Sequence, residues 1–213
     1  MTCSFDLGHY GELLDAARAG GYRWAGFDTE PRDGDLLLRH DVDLSLEAAV
    51  RMAELEAERE ARATYFLMTD SVFYNLASPV GEGALARLRE LGHGVGLHAR
   101  YPRAALDERF DPVLAWHNPD PGYMSAPVED AANVMEERFF SPATYRSDSN
   151  QHWRSGCPHE ALALGQPPWL QLLVHPAIWV YPGETMRATM LAFLDADRER
   201  RLQHLADDRI DLS

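Results

Sequence analysis

The chain has 213 residues, 46% of them hydrophobic, which is enough for one well-buried domain and short for two independent cores. Its 34 acidic residues outweigh 20 basic ones for a formal net charge of −14, and with no lysine present all 20 are arginines. A surface of that sign repels phosphate backbones and anionic lipid, which argues against nucleic-acid or membrane-surface binding as a main function.

Met1 to Tyr10 carries neither the basic stretch nor the apolar run of a secretory signal, so a cytoplasmic protein is expected. From Ser4 to about Ala19, Leu7, Tyr10, Leu13, Leu14 and Ala17 recur at spacings of three and four, which predicts an amphipathic helix stopped by Gly20 and Gly21. Tyr22 to Phe27 reads as a short strand or extended segment, followed by a turn around Pro31 to Gly34. Leu36 to Leu38 is an apolar run ending in His40-Asp41-Val42-Asp43, the pattern of a buried parallel strand that delivers polar groups at its C-terminal end. Ser45 is positioned to cap a helix over Leu46 to Glu60, which has one apolar face and one charged face. Ala63 to Met68 is the next strand, Gly83 to Leu91 a helix, and Gly94 to Leu97, Val113 to Trp116, Thr144 to Arg146 and Leu170 to Val174 are four further strands. The last of these is among the longest apolar runs and falls far short of the roughly 20 residues that span a bilayer, so no membrane span is expected. A helix from Thr185 to about Ala206 closes the chain, with Asp195 to Arg201 on its solvated side. Alternating strands and helices predict a single α/β domain, residues 1–213, with a mainly parallel sheet, open or closed into a barrel.

In such a domain the site lies beyond the C-terminal ends of the strands. Chemically useful residues collect there. Asp41 and Asp43 lie two apart and share a face if the strand continues, while His40 and Val42 take the other. His98 ends the third strand, with Gly94 and Gly96 on its side leaving room beside the imidazole; His117 ends the fourth, Asp148 follows the fifth and His175 ends the sixth. Each alone has a structural explanation: a strand-end histidine can be a hydrogen-bonded core group, and Asp41 with Asp43 can form a turn or cap. Together they would place several costly polar groups around one cavity, as active sites do. A carboxylate with two imidazoles also suits zinc or a similar divalent ion. His9, His152, His159 and His204 read as surface or structural residues, and Cys3 and Cys157, too few for a disulfide framework or a cysteine-rich zinc knot, as ordinary thiols.

At these residues the sequence resembles the polysaccharide deacetylase family, the NodB-homology group of metal-dependent carbohydrate de-N-acetylases, in order from about Leu36 to Pro176. Arg39-His40-Asp41-Val42-Asp43 is similar to the family's first motif, which implies Asp41 as catalytic base and Asp43 as metal ligand. Ala63-Thr64-Tyr65-Phe66 resembles its second strand. Gly92-His93-Gly94-Val95-Gly96-Leu97-His98 resembles the second motif, which implies His98 as a metal ligand. Leu172-Leu173-Val174-His175-Pro176 resembles the last motif, with His175 in the place of the general acid. Ser147-Asp148-Ser149 with Trp153 resembles the region that lines the acetyl pocket and tunes that acid.

The sequence departs from the family pattern at Pro102, where a second metal histidine normally stands. Proline has no side-chain donor, and His117, at the end of the neighbouring strand, is the replacement expected here; contact with the substrate or orientation of Asp41 is the other role open to it. His93 sits at the wrong end of its strand for ligation. The short stretch between His98 and His117 has little room for a helix, so the barrel is expected to be trimmed on that side. Trp116, Trp153, Trp169 and Trp179 lie near the motifs, as a sugar-stacking wall or as core packing.

The resemblance implies a distorted, mainly parallel (β/α) barrel of about six or seven strands and a hydrolase that uses a divalent metal, zinc foremost. The metal would be held by Asp43, His98 and His117, with Asp41, His175 and Asp148 as the acid–base groups and an N-acetylated sugar as substrate. The alternatives are a non-catalytic member of the same fold that binds a glycan or partner, and a related barrel hydrolase acting on a non-sugar amide. Nothing in the sequence fixes the oligomeric state.

Overall fold

The structure, a computed structural model, describes residues 3–100 and 106–210. Pro102 lies outside the described residues. Eight strands form one sheet: β1 (Arg23–Trp24), β2 (Asp35–Val42), β3 (Thr64–Leu67), β4 (Gly94–Ala99), β5 (Val113–Trp116), β6 (Ala132–Asn133), β7 (Tyr145–Ser147) and β8 (Leu170–Val174). The order across the sheet is β6-β5-β4-β3-β2-β8-β7, and every pairing is parallel. Leu36 pairs with Trp24 and also with Leu170 of β8, so β1 occupies the β3 edge of β2, ahead of where β3 begins. The result is a curled parallel half-barrel, the distorted barrel of about seven strands expected from the sequence.

Helices α1 (Leu7–Ala19), α2 (Leu46–Ala57) and α3 (Pro79–Glu90) cover the convex face. They are joined by two short helices, α4 (His159–Ala163) and α5 (Pro176–Val180), and by the closing α6 (Met186–Asp207). Asp6, Ser45, Ser78 and Thr185 cap α1, α2, α3 and α6 with side-chain oxygens that accept the free N–H groups of the first turn. Pro79 extends α3 to a start four residues ahead of the predicted one, because proline suits the first helical position. Among the described residues no helix lies between β4 and β7, in keeping with the trimmed side expected after His98.

All eight residues of β2 are buried, and its alternation decides what each face does. Leu36, Leu38, His40 and Val42 point outward under the helices. Leu36, Leu38 and Val42 join Leu13, Met52 and Leu88 in the main core, each apolar side chain contributing about 1.5–3 kcal/mol of transfer free energy. His40 is fully buried and meets Glu56 of α2 at 2.6 Å from Nε2. Glu56, also fully buried, accepts from the hydroxyls of Tyr10 and Tyr65 as well. Burial alone would raise the Glu56 carboxyl, but His40 and the tyrosine donors hold it below the ordinary range. His93 packs beside this network at the far end of β4, where Nδ1 accepts from the Ala63 N–H and Nε2 donates to the Ala53 carbonyl. That tautomer agrees with a pKa pushed down by burial, and it makes His93 a structural residue.

The concave face carries Leu37, Phe66, Val113 and Ala115 against Phe27, Val134 and Phe139. A Cβ on Gly96 would stand 2.5 Å from the Phe66 ring, so the space left by this glycine is filled by Phe66. This corrects the expectation that Gly96 opens room beside His98.

Candidate metal and acid–base site

Positions 39, 41 and 43 continue the concave face of β2 toward its C-terminal end. There they meet His98 from the end of β4, His117 after β5 and His175 after β8, all lining a cavity of about 300 Å³ together with Tyr145 of β7. The strand-end residues singled out in the sequence are therefore brought to one place. His175 is the residue just before α5, and Pro176 at the first helical position turns the chain away directly behind it.

Asp43, His98 and His117 form a triangle of donor atoms. Asp43 Oδ1 lies 3.1 Å from His98 Nε2 and 3.0 Å from His117 Nδ1, and the two imidazole nitrogens are 3.1 Å apart. The other ring nitrogen of His98, Nδ1, donates to the Ala115 carbonyl at 3.0 Å, which leaves a lone pair on Nε2. Donors around a tetrahedral zinc bound at roughly 2.0–2.1 Å stand about 3.3 Å apart, so the triangle needs little movement to hold an ion. One carboxylate with two imidazoles fits a divalent ion of the borderline class. The carboxyl of Asp43, against the cost of burial, is held far below the usual carboxylate range by the imidazoles of His117 and His98 packed around it.

Asp41 lies one strand step behind. It is buried, and Arg39 clamps it bidentately, Nε to Oδ1 at 2.8 Å and Nη2 to Oδ2 at 2.7 Å. His98 Nε2 is 3.8 Å from Asp41 Oδ2. Burial raises the Asp41 carboxyl, and the charge and hydrogen bonds of Arg39 more than reverse this, so the group stays ionised. Arg39 is itself fixed: its Nη1 donates to Gln171 Oε1 at 3.1 Å, and the guanidinium lies 5.7 Å above the centre of the Phe66 ring. Gln171, fully buried on the same face of β8, donates from Nε2 to the carbonyls of Val134 and Phe139 at 2.9 and 2.7 Å. One amide thus ties the irregular 134–144 connection to the arginine behind the site.

On the opposite wall His175 pairs with Asp148. Its Nδ1 lies 2.6 Å from Asp148 Oδ1, and its backbone N–H donates to Oδ2 at 3.0 Å. Trp179 Nε1 donates to the same Oδ2 at 2.7 Å. All three partners of this fully buried carboxylate are donors. Burial lowers the His175 pKa, but the charge of Asp148 overrides it and the imidazole rises to about 9. Its free nitrogen, Nε2, faces the cavity 4.0 Å from Asp43 Oδ2.

Two contributions are not among the roles expected from sequence: the clamp of Arg39 on Asp41, and the bond to Asp148 from Trp179, which the sequence suggests only as a stacking wall or core packing. Arg39 stands two residues before Asp41, so the strand alternation was a signal for it; Trp179 carried none. Of the four tryptophans near the motifs, Trp153 and Trp179 are buried in the main core, Trp169 packs against the concave cluster, and Trp116 reaches the cavity. Comparison of the chain with protein-family models, with curated proteins and with solved structures gives no match. A parallel α/β half-barrel with a two-histidine, one-carboxylate cluster and a buried histidine–aspartate pair at its strand ends is what fold and site define.

Proposed function

We propose that the protein is a metal-dependent hydrolase that removes the acetyl group from an N-acetylated sugar. The observation that carries this reading is the meeting, across one cavity, of a divalent-ion donor set with a histidine held by a buried aspartate and presenting its free nitrogen to that cavity. A divalent ion, zinc foremost, held by Asp43, His98 and His117 would supply Lewis acidity to the amide carbonyl and acidify a water. Asp41, kept ionised by Arg39, accepts the proton of the attacking water. His175, carrying its proton on the cavity side at Nε2, donates it to the departing nitrogen as the C–N bond breaks, and the products are acetate and an amine. Asp148 holds the ring in the tautomer and orientation for that transfer. A cavity of about 300 Å³ is at the small end for ligand pockets, which suits one acylated sugar unit. The half-buried Met186 and Met190 at its rim offer an apolar edge to the pyranose face.

The test combines metal content with acetate release from a panel of N-acetylhexosamines, free, nucleotide-linked and lipid-linked, and from simple non-sugar amides. One active-site metal per chain is expected, with Asp43→Ala and His98→Ala losing it and Asp41→Asn keeping it while turnover falls by at least about a hundredfold. A protein in which neither zinc, cobalt nor nickel restores any acetate release overturns the reading, and cleavage of the amides alone removes the sugar from it.

A further inference from the structure

A second group of metal-ligating side chains stands outside the cavity, where the segment leading into α1 meets the loop before α4. Cys3, His9 of α1 and Cys157 bring two sulfurs and one imidazole nitrogen to within 4.8 Å of one another. His9 Nε2 lies 3.2 Å from Cys157 Sγ, across 148 residues of sequence. The other nitrogen of His9, Nδ1, is 2.8 Å from Glu12 Oε2, one turn along the helix. A proton on Nδ1 shared with that carboxylate leaves the Nε2 lone pair facing the sulfurs, the arrangement by which carboxylates orient metal-binding histidines. All three residues are half-buried, and the ring of Trp179 packs on His9 with centroids 6.3 Å apart.

We propose that Cys3, His9 and Cys157 form a second metal site, taking one zinc ion or another thiophilic divalent cation. Zinc binds thiolate at about 2.3 Å and imidazole at about 2.0–2.1 Å, which puts tetrahedral donors roughly 3.5–3.8 Å apart, inside the range these atoms already span. Soft sulfur with imidazole selects zinc over calcium or magnesium, in contrast to the carboxylate-containing triangle in the cavity. Three protein donors leave one tetrahedral position for water. The two thiols release their protons to solvent as the ion binds, so occupancy rises with pH. The consequence is structural: the ion would staple the segment before α1 to the loop before α4. Those two helices already touch at their other end, where a Cβ on Gly20 would overlap the Leu162 carbonyl at 1.9 Å.

The whole chain, reduced and stripped with a chelator, is titrated with cobalt(II). The site predicts an intense thiolate-to-cobalt charge-transfer band in the near ultraviolet that saturates at one equivalent in Asp43→Ala, where the cavity site is disabled, and by two equivalents in the unaltered chain. The band is expected to persist in Asp43→Ala, which separates this site from the one in the cavity, and to disappear in Cys3→Ser and Cys157→Ser. His9→Ala should weaken cobalt binding at this site by tenfold or more. Zinc at two equivalents, enough to fill both sites of the unaltered chain, should also slow alkylation of both thiols at least tenfold, a measurement that stands even where a serine variant does not fold. No charge-transfer band, a band that survives Cys157→Ser, alkylation unaffected by zinc, or a Cys3–Cys157 disulfide that persists in reductant overturns the proposal.

Discussion

Replacing Asp148 by asparagine tests the acid–base wall of the site. The three groups around this carboxylate are all N–H donors, from the ring and backbone of His175 and the indole of Trp179. An amide cannot accept on both of its ends, so Asp148→Asn either sets NH₂ against the Trp179 N–H or turns the His175 ring nitrogen into an acceptor. In both cases the imidazolium loses its buried counter-charge. Its rise from 6.5 to about 9 corresponds to about 3 kcal/mol at 1.36 kcal/mol per unit. Because the folded pKa lies above the unfolded one, that stabilisation is fully present below about pH 6.5 and is lost as pH rises through about 9. Urea unfolding of chelator-treated protein should therefore show stability declining over this interval in the unaltered chain and nearly flat in Asp148→Asn. The His175 ring, followed by NMR, should titrate at least about 1.5 units lower in the variant. A His175 that still titrates near 9 in Asp148→Asn would refute the reasoning, and would transfer the effect to Asp41 and Asp43.

Glu56→Gln sets an amide among the hydroxyls of Tyr10 and Tyr65 and His40 Nε2, and should cost about 3–5 kcal/mol in urea unfolding; a loss below about 1 kcal/mol would count against the network. Gly96→Ala drives a methyl into the Phe66 ring from a built position 2.5 Å away, and is expected to lower stability by about 1–3 kcal/mol and to loosen Arg39 above that ring. A Gly96→Ala protein with unchanged melting would mean that the concave core is looser than described. Gln171→Leu removes the partners of two buried carbonyls and one guanidinium N–H, for a cost of about 2–4 kcal/mol. Amide exchange should accelerate first in residues 134–144; uniform acceleration throughout the sheet would contradict Gln171 as their tether.

The strand ends were legible because parallel strands announce themselves as apolar runs, and β5 and β8 fall on the predicted residues. The polar residues closing those runs could then be placed on a common rim by topology alone. Legibility stopped where structure depends on contacts distant in sequence. Helices α4 and α5 have five residues each, too few to show a helical period, and Pro176 was the single local signal for the second. The two-residue β6 pairs with β5 through backbone groups and leaves no pattern. Cys3, His9 and Cys157 each look ordinary in isolation, since nothing local says that α1 and the loop before α4 converge. Gly96 was read for the space it leaves, whereas Phe66 on the neighbouring strand decides who fills it.

Strand β2 couples foldedness to the placement of its acids. His40 must reach Glu56 on one side for Arg39 and Asp41 to stand on the other, and a slip of one residue would bury Arg39 and Asp41 among the helices while turning His40 into the cavity. Such a slipped chain would leave the Glu56 charge without its histidine in a dry core, a penalty of several kcal/mol. The histidine beneath the sheet thus acts as a proofreader of register: a molecule that presents its carboxylates to the cavity has already passed the test of pairing His40 correctly, and misaligned copies are removed by instability.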